Sequence, residues 1–285
     1  MDRTKTIAGL TLLLALSSCG GSTPTVRVGS KNFTEQVILG EILAQQIERR
    51  MHQPVDRRLN LGGTLLAHES LRSGQIDLYP EYTGTALTAI LKQPVDTDPA
   101  SVLAKVRAGY APLHIDWLDP LGVDNSFAMV IGGESARSLG IGALSQAASR
   151  PWRLGVGYEF EQRADGLPAL EKTYGLRWQG KPLSMDLGLL YKALEQGQVD
   201  MIAANSTDGV LSKLDLKVLA DDKHAFPPYQ VCIAVRQDAL AKFPGLREAL
   251  SDLSGKFSNA KMQELNYQVD GLHRPVAQVA AEFLK

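Results

Sequence analysis

Cations and aromatic rings are the side chains of this chain that are best suited to chemistry. Lys31 lies in a turn before a polar helix start, where its ammonium group and the backbone N–H groups suit an anion such as a carboxylate. Arg163 would add a forked contact to the same group. Tyr82 and Tyr229 offer aromatic faces, which attract a cation most strongly when it is desolvated. These residue types predict a site for a small zwitterion.

Each of these residues also has a purely structural interpretation. Lys31 could be a solvated turn residue, and Arg163 could pair with Glu159 or Asp165. Tyr79, at the end of a predicted strand, is better explained as packing than as a site residue. The residue types alone leave these alternatives open.

Residues that would support catalysis, metal binding or nucleic-acid binding are sparse. A net charge of −1 lacks the basic footprint of a protein that binds nucleic acid. The histidines occur without metal-ligand spacing, and two cysteines cannot build a zinc site. The Gly-rich stretch at Gly155 lacks the third glycine of a dinucleotide loop, and Ser258 and Lys261 have no supporting motif. We predict no metal, no cofactor and no enzyme. The histidines are His52, His68, His114, His224 and His273.

The N-terminus predicts export and a membrane anchor. Basic residues precede an apolar run over residues 7–16, and Leu-Ser-Ser-Cys follows, which is typical of a signal peptide over residues 1–18. Cys19 resembles a lipidated lipobox cysteine, and residues 19–25 form a Gly/Ser-type tether. A simple signal peptide with an incidental cysteine is the alternative. The other cysteine, Cys232, alternates in an apolar run and is expected to be a small core residue.

An internal repeat indicates how the elements are arranged. "LRSGQIDLYPEYTGT" is echoed by "LEQGQVDMIAANSTDG", and "VRVGSKNFTEQ" by "WRLGVGYEFEQ", in the same order. Each copy predicts a strand, a turn, a helix that ends at Gly74 or Gly197, and a second strand (76–79 or 199–203). Asn32 and Glu35 have the spacing of a capping box at the first helix. We predict an α/β protein with two similar lobes, mixed and largely parallel sheets, and a ligand cleft between them.

The repeat also predicts where a ligand would bind. Ligands of open α/β sheets meet the loops at the carboxyl ends of the strands. These loops are residues 29–33, 79–85, 158–163 and 205–209. The predicted site is therefore the cleft between the lobes.

Five ordered motifs, from about Val26 to Asp270, resemble the substrate-binding proteins of osmoprotectant ABC transporters. The motifs are "VGSKNFTEQVILGEIL", "LRSGQIDLYPEYTGTAL", "EFEQRADGLPAL", "NSTDG" and "DDKHAFPPY". The resemblance implies the type II periplasmic-binding-protein fold. It also implies a small zwitterionic or cationic solute such as glycine betaine, choline or carnitine, and a monomer that serves ABC permease subunits. Because the family crosses between lobes twice, lobe one is expected at 26–125 plus 232–285 and lobe two at 126–231.

The resemblance also assigns roles to individual residues. Lys31, Thr85 and Arg163 match positions that hold the ligand carboxylate. Asn32, next to Lys31, is also expected to bind the ligand. The walls of an aromatic cage match Tyr82, Phe127 and Tyr229, and Glu159 falls near that cage.

Asn205 departs from the family pattern, because betaine-binding relatives tend to have a tyrosine there. The loss of one wall favours either a weaker betaine site or recognition of a different ligand. That ligand would be a polar amine, an amino acid or a bulkier betaine such as ergothioneine. An enzyme like the porphobilinogen polymerases, which have the same fold, would need a cofactor-bearing cysteine, and a structural envelope lipoprotein would bind no solute.

Overall fold

The structure is a computed structural model that describes residues 24–285. The predicted signal peptide, the predicted lipidation site at Cys19 and most of the predicted tether lie outside the described residues. Within residues 24–285, no helix has the length and apolar character needed to cross a membrane.

The described residues form twelve strands and thirteen α-helices. The strands are β1 (Val26–Gly29), β2 (Val55–Arg58), β3 (Leu78–Tyr82), β4 (Ile115–Trp117), β5 (Phe127–Gly132), β6 (Pro151–Trp152), β7 (Leu154–Val156), β8 (Arg177–Trp178), β9 (Leu183–Ser184), β10 (Met201–Asn205), β11 (Leu216–Val218) and β12 (Val231–Arg236). The helices are α1 (Thr34–Met51), α2 (Thr64–Arg72), α3 (Thr83–Thr85), α4 (Pro99–Tyr110), α5 (Gly133–Leu139), α6 (Leu144–Ala147), α7 (Tyr158–Gln162), α8 (Leu167–Tyr174), α9 (Leu187–Glu195), α10 (Gln237–Lys242), α11 (Leu246–Ser251), α12 (Asn259–Asp270) and α13 (Val276–Phe283). Helix α3 continues into a π-helical turn, Ala86–Ile90.

Two five-stranded sheets share one topology. The first has the order β2-β1-β3-β12-β4, and the second, read from its opposite edge, has the order β9-β7-β10-β5-β11. In each sheet the first two pairings are parallel and the last two are antiparallel. The predicted α/β fold with two mixed sheets is confirmed. We call the first sheet with its helices the first lobe, and the second sheet with its helices the second lobe.

The repeated motifs occupy equivalent places in the two sheets. The first motif pair forms β1 and β7 with the helices that follow them, and the other pair forms α2–β3 and α9–β10. Gly74 and Gly197 end these two helices with φ angles of 74° and 66°, which suit glycine because it lacks a Cβ atom. Both strands after the glycines begin and end about two residues later than predicted.

Helix α1 does not have the predicted capping box. Its N-cap is Phe33, without a side-chain hydrogen bond, and Asn32 is exposed one residue earlier. The side chain of Glu35 does not return to the helix start, because it points into the protein and is fully buried. The spacing that resembled a cap therefore belongs to a different interaction, described below.

Two antiparallel segments carry the chain between the lobes. Residues 118–126 lead from β4 to β5, and residues 219–230 lead from β11 back to β12. The N–H of Asn125 donates to the carbonyl of Tyr229 at 3.1 Å, and the N–H of Tyr229 donates to Asp124 Oδ1 at 2.9 Å. We call these two segments the hinge, because every covalent connection between the two sheets passes through them.

Substitution of Gly122, in the hinge, is expected to destabilise the protein. Its φ of +108° is unfavourable for other residues, and a Cβ atom would lie 2.3 Å from the carbonyl oxygen of Phe257. Gly122→Ala should lower the free energy of unfolding by about 2–4 kcal/mol, measured by urea denaturation. Gly140→Ala is the control, because φ is +65° but no atom lies within 4 Å of the added Cβ. Gly140→Ala should lower the free energy of unfolding by about 1 kcal/mol. Equal losses for the two variants would contradict the predicted overlap.

Candidate functional site

A cavity of about 770 Å³ lies between the two lobes, at the carboxyl ends of β1, β3, β7 and β10. Both lobes contribute to it, and all nine residues predicted to contact a ligand line it. The lining residues are Lys31, Asn32, Phe33, Gly63, Leu65, Leu66, Tyr82, Thr85, Asn125, Phe127, Gly157, Tyr158, Glu159, Phe160, Arg163, Ser184, Met185, Asp186, Leu187, Ala203, Asn205 and Tyr229.

Lys31 is buried in an ion pair. Only 2% of the residue is exposed, and its Nζ lies 2.5 Å from Glu81 Oε1. Glu81 also accepts hydrogen bonds from the Tyr79 hydroxyl at 2.9 Å and from the Tyr82 N–H at 2.7 Å. The interpretation of Lys31 as a solvated turn residue is wrong. Since an ammonium group has three donors, the pairing with Glu81 leaves donor capacity at the cavity wall.

Arg163 makes contacts with both lobes. It forms a two-pronged ion pair with Asp165, with distances of 2.9 and 2.6 Å, and donates to Thr85 Oγ1 at 3.1 Å across the cleft. Its guanidinium carbon lies 5.1 Å from the ring centroid of Phe127 and 5.8 Å from that of Tyr229. The sequence left pairing with Asp165 open, and the structure contains it. Its Nη1 also lies 3.5 Å from Glu159 Oε2, the other partner that the sequence left open. Because Asp165 holds the Nε and Nη2 donors, Nη1 carries the donor capacity that remains for a ligand.

The aromatic walls of the cavity form two groups. Phe33 stacks on Tyr82 with 6.2 Å between centroids, and Lys31 Nζ lies 4.9 Å from the Tyr82 ring. Phe127 meets Tyr229 edge-to-face at 5.5 Å and Phe160 at 4.9 Å. Such edge-to-face pairs fix the orientation of the rings, and all five rings line the cavity.

The phenol groups of Tyr82 and Tyr229 are held by buried carboxylates. The Tyr82 hydroxyl donates to Glu35 at 2.7 Å, and the Tyr229 hydroxyl donates to Asp165 at 2.7 Å. Burial raises the pKa of both phenols well above the ordinary value, so they remain protonated donors. The ring positions are therefore set from behind the cavity.

A carboxylate from the second lobe caps a helix of the first lobe. Helix α2 has Gly63 as its N-cap, which offers no side-chain cap. Glu159 instead accepts hydrogen bonds from the N–H and, at 2.8 Å, the hydroxyl of Thr64. We call this Glu159–Thr64 contact the clasp. A negative charge at a helix N-terminus is favourable, so the clasp holds the two lobes together on this side of the cavity.

Asn205 ends β10 beside Phe127, its cross-strand partner in β5. Its backbone N–H donates to Asp208 Oδ2 at 3.1 Å, and its amide nitrogen lies 3.4 Å from Asp208 Oδ1. The Tyr191 hydroxyl donates to the same carboxylate at 2.8 Å. Desolvation raises the pKa of Asp208 to about 6. Asn205 therefore presents a polar group to the cavity. The loop that follows it contains the titratable side chain of Asp208.

Glu35 connects both lobes and the hinge. Its carboxylate accepts hydrogen bonds from Tyr82 in β3 at 2.7 Å, Asn125 in the hinge at 2.9 Å and Thr207 in the second lobe at 2.5 Å. Asn266 in α12 lies 3.4 Å away. Burial raises the pKa of Glu35, opposed by these hydrogen bonds. The Glu35 carboxylate therefore positions the Tyr82 ring at the cavity wall and also connects the two lobes.

Sequence reasoning missed four residues that shape this site: Phe33, Glu35, Thr64 and Glu81. A usable signal existed for Phe33 and Glu81, because both lie in loops that the repeat assigned to the site, 29–33 and 79–85. Thr64 and Glu35 carried no such signal, because their partners are distant in sequence.

The cysteine and metal predictions concern residues away from the cavity. Cys232 is buried in β12, and desolvation raises the pKa of its thiol to about 12. Such a thiol is unreactive at neutral pH. Among residues 24–285, no cluster of three or more His, Cys, Asp or Glu side chains has an arrangement that could hold a metal ion.

Comparison with known proteins identifies the family. Residues 24–285 match the family described as the substrate binding domain of ABC-type glycine betaine transport systems. The chain belongs to this family. Its members are the substrate-binding components of importers and not enzymes. They bind small solutes outside the cytoplasm and interact with permease subunits.

Individual relatives show the same relationship. A carnitine transport binding protein of Listeria monocytogenes is 34% identical, over 97% of this chain and 93% of its own length. An ergothioneine transport permease/ergothioneine binding protein of Helicobacter pylori is 35% identical, over 90% of this chain and 47% of its own length. A crystal structure described as a glycine betaine/carnitine/choline ABC transporter superposes with a TM-score of 0.75 and 32% identity, covering 91% of this chain and 97% of that chain.

Removal of the Glu35 carboxylate is expected to destabilise this binding protein strongly. Glu35→Ala strands buried donors on Tyr82, Asn125 and Thr207, and each stranded donor costs about 1–3 kcal/mol. The free energy of unfolding in urea should fall by at least about 3 kcal/mol. Glu48→Ala, which removes a partly exposed partner of Arg57 from the same helix, is the control and should cost about 1 kcal/mol or less. Similar losses for both variants would contradict a central role for Glu35.

The raised pKa of Asp208 predicts a pH dependence of stability. The folded protein binds this proton more tightly than the unfolded chain, so Asp208 favours folding below pH 4, and this contribution is lost as pH rises through about 6. In the wild type, this group should lower the free energy of unfolding by about 1–3 kcal/mol between pH 4 and 6.5, and Asp208→Asn should remove that decrease. Urea unfolding at several pH values measures it. The control Asp222→Asn should retain that fall, because hydrogen bonding from Ser145 lowers the pKa of Asp222. The prediction would be refuted if the free energy of unfolding depended on pH in the same way in the wild type and in Asp208→Asn.

Proposed function

We propose that this protein captures a small zwitterionic quaternary-ammonium solute of the glycine betaine, choline and carnitine class in the interlobe cavity and delivers it to an ABC permease. The observation that carries the proposal is one cavity that combines aromatic rings with cations already neutralised by buried carboxylates. Lys31 lies 4.9 Å from the Tyr82 ring centroid, and Arg163 lies 5.1 and 5.8 Å from those of Phe127 and Tyr229, which is within the range of a cation–π interaction. The quaternary ammonium of the ligand would use the ring surface that these two side chains leave uncovered.

The opposite end of the ligand would be held by polar donors. Arg163 supplies its Nη1 donors, because Nε and Nη2 already bind Asp165; Lys31 supplies ammonium donors, and Thr85 contributes a hydroxyl next to Arg163. Because Asp165 and Glu81 already neutralise these two cations, the site favours a ligand without net negative charge. A zwitterion satisfies both requirements, since its carboxylate meets the donors while its quaternary ammonium meets the aromatic faces.

Other parts of the sequence indicate where the protein would act and how its lobes are divided. The signal peptide would export the protein, and the lipidated Cys19 with the tether over 19–25 would then hold it, as a monomer, on the outer side of the cell membrane. The lobe boundaries we propose are 26–125 plus 232–285 and 126–231. Asn32, which lines the cavity next to Lys31, would contribute to ligand binding, and Glu159 would contribute by holding the cleft closed through the clasp.

A bulkier betaine such as ergothioneine is the second candidate, alongside a polar amine or an amino acid. Asn205 favours it, because an amide can hydrogen-bond a polar group that a tyrosine wall would exclude. The relative from Helicobacter pylori, whose name refers to ergothioneine, is 35% identical to this chain. Phe33 partly restores the aromatic surface next to Tyr82, so Asn205 does not by itself argue against a simple betaine.

Calorimetric titration tests the proposal and separates the candidates. We expect binding of at least one of glycine betaine, choline, carnitine, proline betaine and ergothioneine, and none of glutamate or arginine. Phe127→Leu keeps the bulk but removes the aromatic face, so it should weaken binding about 2–30-fold. Phe127→Tyr retains the face and is the matched control. Silence for every quaternary ammonium compound, or equal affinities of the two variants, would overturn the proposal.

A further inference from the structure

Apolar side chains are exposed on both lips of the cavity. Leu65 and Leu66 lie on α2 of the first lobe and are 63% and 61% exposed. On the second lobe, Tyr158 at the start of α7 is 72% exposed and Leu187 at the start of α9 is 36% exposed. All four line the same cavity as Lys31 and Arg163. We call these four residues the apolar lip.

The core of the protein does not account for the apolar lip. Helix α2 packs against the first sheet through Ala67 and Leu71, which are fully buried, whereas Leu65 and Leu66 point away from that face. Large apolar side chains that are exposed together cost solubility and usually mark a surface that binds something. The question is which molecule covers them.

The clasp brings the two halves of the lip to one place. Thr64 directly precedes Leu65, and its partner Glu159 directly follows Tyr158. The hydrogen bonds of the clasp therefore hold the apolar side chains of the two lobes around one space. This space continues into the part of the cavity that contains the cations and the aromatic walls.

The volume of the cavity exceeds the needs of a compact solute. At about 770 Å³ it lies in the range of about 300–1,000 Å³ that is typical of sites for drug-sized ligands. Arg163, Lys31 and the rings of Tyr82 and Phe127 occupy only the inner part. The outer part is bordered by the apolar lip, with Met185 and Asp186 next to Leu187.

We propose that the apolar lip is a second subsite, which takes an apolar or heteroaromatic substituent carried by the same zwitterion whose charged ends bind deeper in the cavity. This inference rests on the proposed function and specifies the ligand class as a substituted betaine. The continuity of the lip with the charged part of the cavity supports this occupant over a separate partner. A flat ring would be covered by Tyr158 and the leucines, as apolar surface favours burial.

Two ligands that differ only in the substituent test the subsite. Glycine betaine is compared with the betaine of phenylalanine, which has the same trimethylammonium and carboxylate groups and adds a benzyl group. In the wild-type full-length protein, calorimetric titration should show about tenfold or tighter binding of phenylalanine betaine. Leu66→Ser and Leu65→Ser should reduce that advantage to about threefold or less, because they remove apolar surface that only the benzyl group would contact. Leu214→Ser changes a leucine that is 47% exposed outside the cavity, and should retain the full advantage.

The possible outcomes distinguish this inference from the proposed function. Equal affinity for the two ligands in the wild type, with glycine betaine bound, would overturn the subsite and leave the proposed function intact. Lip variants that keep both affinities and lose transport in membranes containing the permease would show that the lip contacts the permease, which also overturns the subsite. Failure of both ligands to bind would count against the quaternary-ammonium proposal itself, and the subsite would fall with it.

Discussion

The burial of one carboxylate, Glu35, constrains much of this structure. A buried carboxylate must be surrounded by hydrogen-bond donors, because desolvation of an unpaired charge is very unfavourable. The donors of Glu35 come from β3, from the hinge and from the loop after β10. These segments therefore have to be in place together. The Tyr82 ring, which forms a wall of the cavity, is positioned by the same carboxylate that connects the lobes.

The same principle operates at the cavity surface. Lys31 and Arg163 can be buried there because Glu81 and Asp165 neutralise them, and these carboxylates are in turn satisfied by tyrosine hydroxyls. Buried ion pairs of this kind contribute little net stability, but they fix the direction of the remaining donors. A ligand consequently meets groups whose orientation has already been set. Affinity then depends less on ordering side chains during binding.

Much of this arrangement could be predicted from local patterns. The repeat indicated equivalent strands and helices, and the strand-end loops contained seven of the nine predicted contact residues that line the cavity, all but Phe127 and Tyr229, because strand polarity decides at which edge loops gather. Glu35 illustrates the limit. Its spacing from Asn32 is that of a capping box, yet its side chain turns inward because donors elsewhere in the chain satisfy it. The prediction assumed a local cap at the start of helix α1, whereas Glu35 accepts hydrogen bonds from residues that are distant in sequence.

The sequence by itself determined the element types, the duplication and the set of residues at the strand ends, since these follow from hydrophobic periodicity, glycine positions and residue chemistry. Only the tertiary structure decided which polar partners the buried charges meet. Lys31 and Glu81 are 50 residues apart, Thr64 and Glu159 are 95 apart, and Glu35 and Thr207 are 172 apart. Such pairs form because folding excludes water from both partners at once. No local sequence pattern encodes this exclusion of water. These pairs can therefore be identified only from the tertiary structure, in which the two lobes lie against each other.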